Sequence, residues 1–302
     1  MVIMFKKRVL FALILISSIV VFFLFFNKPS IHSEAGILID ATSGKVIYAK
    51  NEHEVLPVAS VSKMMSAYLV LEAIANSEVN WEDQIVISEQ ANNLEQRAVQ
   101  IPVDDGESVY VKDLFASLLI PSANNATIAL AEYVAGSEEQ FVQRMNEKAV
   151  SMGLSDETTF VNATGLTVNG AYNKMSALDG AMLANHLITD FPLVLQFTNK
   201  HYYDLNDPSL RIYNTNRLLF SNDPTVYDKR VDGLKTGYTT EAGYCIVSTA
   251  FVDDERYISV IIGADDDDMR FEETKKMLSY GFKTVYVPWL EQAKQYIRHL
   301  LQ

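Results

Sequence analysis

The chain has 302 residues, of which 49% are hydrophobic and 21% are charged, so it can build one large domain or two small ones and is not disordered. Its formal net charge of −13 argues against a nucleic-acid partner, because nucleic-acid binders carry basic surfaces. Its one cysteine, Cys245, excludes an intramolecular disulfide and a cysteine-pair zinc site, and its apolar neighbours indicate a small buried hydrophobe.

The N-terminus carries the first strong signal. Three basic residues at positions 6–8 precede an uncharged apolar run of 18 residues, from 9 to 26. This run approaches the roughly 20 residues that span a bilayer and exceeds the roughly 7–15 of a signal-peptide core. We therefore expect residues 1–26 to form an uncleaved membrane anchor rather than a cleaved signal, with residues 27–35 as a linker. Because basic flanks stay in the cytoplasm, the rest of the chain is expected outside the cell membrane.

Secondary-structure patterns in the rest of the chain predict strands, then helices, then strands. Two strand-like runs, 36–40 and 45–49, flank turn residues and predict a β-hairpin. Apolar residues at helical spacing predict the helices, which are 58–74, 111–134 with a break at 121–122, 138–152 and 178–188. The closing elements are strands at 231–234, 244–251 and 257–262, an acidic run at 265–268 interpreted as a solvated turn, and a helix at 271–280.

This order predicts an α+β domain rather than alternating βαβ units. We expect the first strands to pair with the last ones in a single sheet, with the helical middle as a lobe on one side. The tail, residues 286–302, has apolar residues at helical spacing and predicts an amphipathic C-terminal helix. We expect it to pack on the domain or on a partner rather than on the membrane, because the N-terminal segment already anchors the chain.

The first chemical motif is Ser60-Val61-Ser62-Lys63, at the start of an apolar-striped helix. A spacing of three places Ser60 and Lys63 on one helical face. A serine hydroxyl needs an adjacent base, and a lysine can be that base if burial or a second cation lowers its pKa. Backbone N–H groups at a helix N-terminus can also stabilise an oxyanion. Alone, the motif is common and its signal is weak.

Two further motifs follow in order, Ser122-Ala123-Asn124 in a break between helices and Lys235-Thr236-Gly237 in a strand. The strand lysine can bind a substrate carboxylate and, by like-charge repulsion, keep the helix lysine deprotonated. The threonine hydroxyl can share the carboxylate, and the glycine lets a ligand backbone approach closely. Each triplet is common, but the three together on helix, loop and strand are specific.

The three motifs resemble those of the penicillin-binding proteins and the serine β-lactamases. The chain is most similar to the low-molecular-weight D-alanyl-D-alanine carboxypeptidases, over residues 35–282. The segments that carry the resemblance are 40–46, 57–64, 118–126, 162–166 and 231–244. The resemblance implies a β-lactamase-like transpeptidase fold over residues 36–285, in which helices flank an antiparallel sheet beside an all-helical lobe.

The resemblance also implies roles for the catalytic residues. Ser60 attacks the carbonyl between two D-alanines, Lys63 takes its proton, and Ser122 relays a proton to the leaving D-alanine. Backbone N–H groups of Ser60 and Tyr238 form the oxyanion hole. Water then releases the acyl-enzyme, and neither a metal nor an organic cofactor is needed.

The substrate-binding residues are implied in the same way. Asn124 holds the peptide of the substrate, while Lys235 and Thr236, next to Gly237, bind its terminal carboxylate. The expected partners are peptidoglycan peptides ending in D-Ala-D-Ala, with β-lactams as covalent inhibitors that acylate Ser60.

Three alternatives accompany this interpretation. A class A β-lactamase would carry a Glu-x-x-Leu-Asn segment and a Ser-Asp-Asn triplet, and the chain has neither at the matching places. A D,D-endopeptidase would use the same residues on cross-linked peptides and stays open. A non-catalytic penicillin-sensing or wall-binding relative also stays open, although the intact motifs argue against it.

Overall fold

The computed structural model describes residues 28–206, 210–284 and 286. The expected anchor at 1–26 and, apart from residue 286, the expected C-terminal helix lie outside the described residues. Among the residues described, no helix is both long enough and apolar enough to cross a bilayer.

The central sheet has five antiparallel strands in the order β2-β1-β11-β10-β9. Their bounds are β1 (Ala35–Asp40), β2 (Val46–Lys50), β9 (Val231–Thr239), β10 (Gly243–Val252) and β11 (Glu255–Ala264). Ile37 of β1 lies opposite Val260 of β11. The predicted hairpin and the predicted pairing of the first strands with the last ones are therefore confirmed.

Helices occupy the middle and the end of the described chain, as the sequence pattern predicts. Their bounds are α1 (Lys63–Ala75), α2 (Glu89–Asn92), α3 (Val111–Leu119), α4 (Asn124–Ala135), α5 (Glu138–Ser151), α6 (Ala177–Asp190), α7 (Leu195–Thr198) and α8 (Asp267–Gly281), with 3-10 turns at Ala59–Ser62, Pro192–Val194 and Arg217–Leu219.

Three small two-stranded sheets were not predicted. Their strands are β3 (Leu56–Pro57) with β6 (Lys174–Met175), β4 (Gln84–Val86) with β5 (Ser108–Tyr110), and β7 (Tyr202–Asp204) with β8 (Arg211–Tyr213).

Both faces of the central sheet are covered, so the alternating side chains of its strands enter two cores. Ile37 and Ile39 of β1 join the core that includes the helical lobe. Leu38, which points to the opposite face, joins a second core with Phe271 of α8. The burial of every residue from Ala35 to Ile39 follows from this two-sided packing.

The segment that carries Ser60, the predicted nucleophile, differs from the prediction. An α-helix was predicted over residues 58–74, but a 3-10 turn spans Ala59–Ser62 and the α-helix begins at Lys63. Ala59 has a positive φ of 49°, which a regular helix does not allow. Tertiary contacts override the helical pattern here, because the Val58 N–H donates to the carbonyl oxygen of Asn173 at 3.2 Å.

The acidic run at 265–268 is also different from the predicted solvated turn. Asp266 is the N-cap of α8, and its carboxylate accepts a hydrogen bond from the Met269 N–H at 2.7 Å. Asp267 and Asp268 lie in the first helical turn and pair with Arg217 at 2.9 and 2.5 Å. Negative side chains at this end complement the helix dipole, which explains why the run starts a helix.

Candidate active site

A cleft of about 260 Å³ lies between strand β9 and the helical lobe. Six of the eight residues predicted from the sequence line it, namely Ser60, Ser122, Asn124, Thr236, Gly237 and Tyr238. The other two, Lys63 and Lys235, are buried, with exposed fractions of 0% and 1%. Clefts of 440 and 730 Å³ elsewhere on the surface contain none of the eight, so cleft size does not identify the site.

The amine of Lys63 has three neighbours. Its Nζ lies 3.1 Å from Ser60 Oγ, 2.8 Å from Asn124 Oδ1 and 2.6 Å from the carbonyl oxygen of Thr164. A neutral amine has two N–H groups and one lone pair. The two carbonyl oxygens take the two N–H groups, which leaves the lone pair to accept the hydroxyl proton of Ser60. The arrangement therefore fits a neutral lysine that acts as the base for the serine.

Burial also favours a neutral lysine at this position. It lowers the pKa of Lys63 well below its ordinary value, and the positive charge of Lys235 lowers this pKa further. Burial, followed by the charge of Arg270, lowers the pKa of Lys235 to about 7. The predicted effect of the strand lysine on the helix lysine is therefore consistent with the geometry of the site.

Two glycines allow other segments to pack closely on the 3-10 turn at Ala59–Ser62, called the nucleophile turn because it carries the predicted nucleophile, Ser60. A Cβ on Gly165, whose φ is +82°, would lie 2.1 Å from the carbonyl oxygen of Ala59. A Cβ on Gly237 would lie 2.9 Å from the carbonyl oxygen of Val58 and 3.0 Å from the backbone nitrogen of Ser60. The sequence predicted that Gly237 admits a ligand backbone, but in the described structure the chain's own backbone approaches it.

The Thr164 carbonyl that contacts the lysine belongs to a loop held by buried amides. Asn162 Oδ1 accepts hydrogen bonds from the backbone N–H groups of Thr164 and Gly165 at 3.1 and 2.6 Å. Asn173 Nδ2 donates to the Asn162 carbonyl oxygen and to Ser62 Oγ, each at 2.9 Å. Sequence reasoning missed this contact because a backbone carbonyl leaves no residue-type signature.

Ser122 and Asn124 stand at the break between α3 and α4. Ser122 has a φ of +71°, and its buried Oγ has no hydrogen-bond partner among the described residues. Such a strained conformation is typical of functional positions. Asn124 Oδ1 accepts from Lys63, and its Nδ2 donates to the Val99 carbonyl oxygen at 3.0 Å. An amide nitrogen has two N–H groups, so one remains for a ligand.

The β9 wall of the cleft presents a hydroxyl group, and a lysine amine is buried next to it. Thr236 Oγ1 lies 2.6 Å from Thr215 Oγ1, and Lys235 Nζ donates to the Thr236 carbonyl oxygen at 2.9 Å. Tyr238 is 53% exposed at the rim, where its ring packs against that of Tyr244 at 4.3 Å. These groups suit a carboxylate held beside the nucleophile.

Sequence reasoning also missed several residues that line the cleft. They are Arg97, Thr215 and Arg270. Arg270 is buried, and its Nη1 donates to the Gly237 carbonyl oxygen at 2.9 Å and to that of Cys245 at 3.3 Å, while its other branch pairs with Asp267. None of these residues belongs to a short motif, so only the tertiary structure brings them to the site.

A serine hydroxyl beside a buried lysine amine of lowered pKa, faced by a Lys-Thr-Gly strand, can perform serine-type acyl transfer. The family model described as D-alanyl-D-alanine carboxypeptidase, peptidase S11, matches residues 25–266. This chain belongs to that family, which confirms the resemblance inferred from the three motifs.

Individual relatives agree with this assignment. The D-alanyl-D-alanine carboxypeptidase DacF of Bacillus subtilis (strain 168) is 37% identical over 253 residues, which cover 83% of this chain and 62% of that protein. The D-alanyl-D-alanine endopeptidase of Escherichia coli (strain K12) is 28% identical, with 84% of this chain and 78% of that protein covered. The chain thus spans less than two thirds of the length of the carboxypeptidase.

A solved structure confirms the predicted fold. Penicillin-binding protein D2 from Listeria monocytogenes, in the cefotaxime-bound form, superimposes with a TM-score of 0.77 at 33% identity. The match covers 85% of this chain and 99% of that one. The antiparallel sheet with its flanking helices and helical lobe is therefore the penicillin-binding-protein fold.

Proposed function

We propose that this chain is a serine D-alanyl-D-alanine carboxypeptidase, which removes the terminal D-alanine from peptidoglycan stem peptides through an acyl-enzyme on Ser60. The main support is that Ser60 Oγ lies 3.1 Å from Lys63 Nζ. Two carbonyl oxygens can accept both N–H groups of a neutral amine, so its lone pair is available for the serine proton. Membership of the family supports the substrate class.

The acylation step follows from the positions of these groups. The terminal carboxylate of the peptide binds Lys235 and the hydroxyl of Thr236. Ser60 Oγ attacks the carbonyl carbon between the two D-alanines as its proton passes to Lys63 Nζ. When the C–N bond breaks, the leaving amine takes a proton. The hydroxyl of Ser122, which has no hydrogen-bond partner among the described residues, is the relay for this proton. Water then hydrolyses the ester and restores Ser60.

β-Lactams are proposed as covalent inhibitors of the same serine. Their strained amide stands in for the D-Ala-D-Ala bond, and their carboxylate stands in for the peptide terminus. The cefotaxime-bound form of the Listeria relative supports this proposal. The ring opens on attack, so the leaving group stays attached and the acyl-enzyme persists.

Membrane tethering is part of the same proposal. The apolar run at 9–26 and the basic residues at 6–8 support a single-pass anchor with the domain outside the cytoplasm. Ile31 is buried in the core that contains Phe271, so the domain would stand only a few residues from the bilayer. Digestion of intact spheroplasts by an added protease should remove the domain, and its full protection would contradict the proposed orientation.

The decisive experiment incubates the purified full chain, kept in detergent, with a pentapeptide that ends in D-Ala-D-Ala. Mass spectrometry should detect loss of one alanine with the wild type and none with Ser60→Ala. A fluorescent penicillin should label the wild type, and peptide mapping should place the adduct on Ser60. Release of alanine by a folded Ser60→Ala variant would overturn the role of this serine.

A D,D-endopeptidase is the second candidate. The observation that favours it is the greater share of the Escherichia coli endopeptidase that this chain covers, 78%. Incubation of the same preparation with a cross-linked muropeptide dimer separates the two activities. Cleavage of the dimer without release of alanine from the pentapeptide would favour the endopeptidase, whereas penicillin labelling without any turnover would favour a sensor.

A further inference from the structure

Arg97 is an exposed cationic side chain of the cleft that has no role in the proposed chemistry. It lies on the loop before α3 and lines the cleft with Ser60 and Asn124. It is exposed, and within the described part of the chain its guanidinium makes no hydrogen bond, ion pair or ring contact. A guanidinium in such a position can take a carboxylate in a two-point hydrogen bond.

The other cationic side chains of the site already have hydrogen-bond partners or proposed roles. Arg270 is bonded to the carbonyl oxygens of Gly237 and Cys245 and paired with Asp267. Lys63 is the neutral base, and Lys235 with Thr236 receives the terminal carboxylate of the substrate. Arg97 is therefore available for a second anionic group of the same ligand.

The backbone that carries Arg97 is attached to the helical-lobe wall of the cleft. The Val99 carbonyl oxygen accepts hydrogen bonds from the backbone N–H of Asn124 at 2.7 Å and from its Nδ2 at 3.0 Å. Two residues further on, Asn125 bonds both the N–H and the carbonyl oxygen of Ile101, at 3.1 and 2.9 Å. These contacts hold the loop against the asparagine that is expected to bind the peptide of the substrate.

We infer that Arg97 determines specificity for peptides whose acyl portion carries a free carboxylate, on the side chain of the residue before the two D-alanines. This inference rests on the proposed carboxypeptidase function. In the proposed function the terminal carboxylate lies at the β9 wall and the acyl portion extends away from it, so Arg97, which lines the cleft, is the cationic residue available to a second carboxylate there. The chain would then distinguish stem peptides with a free carboxylate from those with an amide at that position.

The test compares two pentapeptides that end in D-Ala-D-Ala and differ only in a side-chain carboxylate or carboxamide at the third residue. With the full chain, kcat/KM should be about three- to fivefold higher for the carboxylate peptide at low salt, the range expected for an exposed ion pair. Raising the ionic strength should reduce the ratio. Arg97→Gln should bring the ratio close to one, and Arg97→Lys should retain part of it.

Lys45→Gln is the matched control, because it removes an exposed positive charge in the β1–β2 turn, away from the cleft. Its ratio should equal that of the wild type. An unchanged ratio in Arg97→Gln, or no preference in the wild type, would overturn the inference while leaving the carboxypeptidase proposal standing. Release of alanine from neither peptide by a folded, penicillin-labelled wild type would instead overturn the proposed function and the inference with it.

Discussion

Lys63 and Lys235 share one site but have different surroundings. Lys63 Nζ lies within hydrogen-bond distance of two carbonyl oxygens and of the Ser60 hydroxyl, which a neutral amine can satisfy with its two N–H groups and its lone pair. Lys235 donates to the Thr236 carbonyl oxygen, next to hydroxyl groups that line the cleft. Burial disfavours the charge on both amines, but in the proposed function only Lys235 receives the carboxylate of the substrate, which would restore its charge.

The lowered pKa of Lys235 predicts an alkaline limit on activity. A lysine is charged below its pKa, and this pKa is about 7, so in the free protein the charge is lost as the pH rises through 7. The value of kcat/KM for a D-Ala-D-Ala peptide, which reports on the free protein, should therefore fall between pH 7 and pH 9. Lys63 is neutral above its own lowered pKa, so it does not limit activity on this side.

The measurement is a profile of kcat/KM from pH 5 to pH 9, with circular dichroism to show that the fold persists throughout. Lys235→Arg provides the control, because a guanidinium stays charged over this range and should remove the alkaline limb. A rate that stays constant or rises from pH 7 to pH 9 in the wild type would contradict the role of Lys235.

At the scale of elements, the nucleophile turn at Ala59–Ser62 is shaped by two neighbouring segments. The 162–166 loop and strand β9 both approach it through glycines. The turn leaves Ser60 facing the cleft while the following helix buries Lys63 behind it. The helix start alone would not produce this geometry, because the contacts that bend it are distant in sequence.

Substitutions at Gly165 and Gly170 separate the effect of close packing on stability from the effect of the backbone conformation. Both have a positive φ, +82° and +79°, but a Cβ on Gly170 would meet nothing within 4 Å. Gly170→Ala should lower the free energy of unfolding by about 1–2 kcal/mol, the cost of a left-handed conformation. Gly165→Ala should add about 1–3 kcal/mol for overpacking against Ala59 and should slow acylation by penicillin.

Urea unfolding and penicillin-labelling rates of the two variants provide the measurement. Equal decreases in the free energy of unfolding would show that the close contact with the nucleophile turn adds nothing to the cost of the substitution at Gly165. Normal labelling in Gly165→Ala would show that the loop does not set the position of Ser60.

At the scale of the whole molecule, hydrogen bonds join the first described residues to the last described helix. Glu273 of α8 is fully buried, and its carboxylate accepts hydrogen bonds from the His32 N–H and from the Ser33 N–H and hydroxyl. Lys50 of β2 donates to the carbonyl oxygens of residues 31, 32 and 33. The segment that leads toward the proposed anchor is thus held on the domain by a buried carboxylate and an ammonium group.

Removing this carboxylate should destabilise the domain and release the segment. Glu273→Ala leaves three donors without an acceptor and should cost about 3 kcal/mol or more of unfolding free energy. Glu272→Ala, next to it on α8 but only partly buried, should cost less than about 0.5 kcal/mol. Urea unfolding checks the two values.

Limited proteolysis at residues 28–34 provides an independent readout. These residues should be cut faster in Glu273→Ala than in Glu272→Ala. Equal stability and equal cleavage in the two variants would show that the buried carboxylate does not hold the segment.

The sequence predicted most of the large elements. The hairpin at 36–49, the helices from 111 to 190 and the three closing strands have periodic or continuous apolar patterns. An element that buries one face shows a period, and a strand that buries both faces shows a continuous apolar run. Strands of two or three residues, such as those at 84–86 and 202–204, are too short to show a period and were missed. The helix that begins at Lys63 was predicted to begin too early, at residue 58. The apolar helical pattern continues through the turn at 59–62, whose conformation depends on contacts with glycines distant in the chain.

The sequence by itself determined the family and the eight candidate site residues, since short motifs record which side chains a reaction needs. Five of the eight follow from residue chemistry, and the other three, Ser122, Asn124 and Tyr238, follow from the resemblance that the motifs carry. Only the tertiary structure decided that Thr164 presents a carbonyl oxygen to Lys63, that Arg270 lies behind the cleft and that Arg97 stands at its wall. The physical reason is that such contacts join residues far apart in the chain. A backbone oxygen or a single arginine gains its role from what folding places beside it, and that placement has no local pattern.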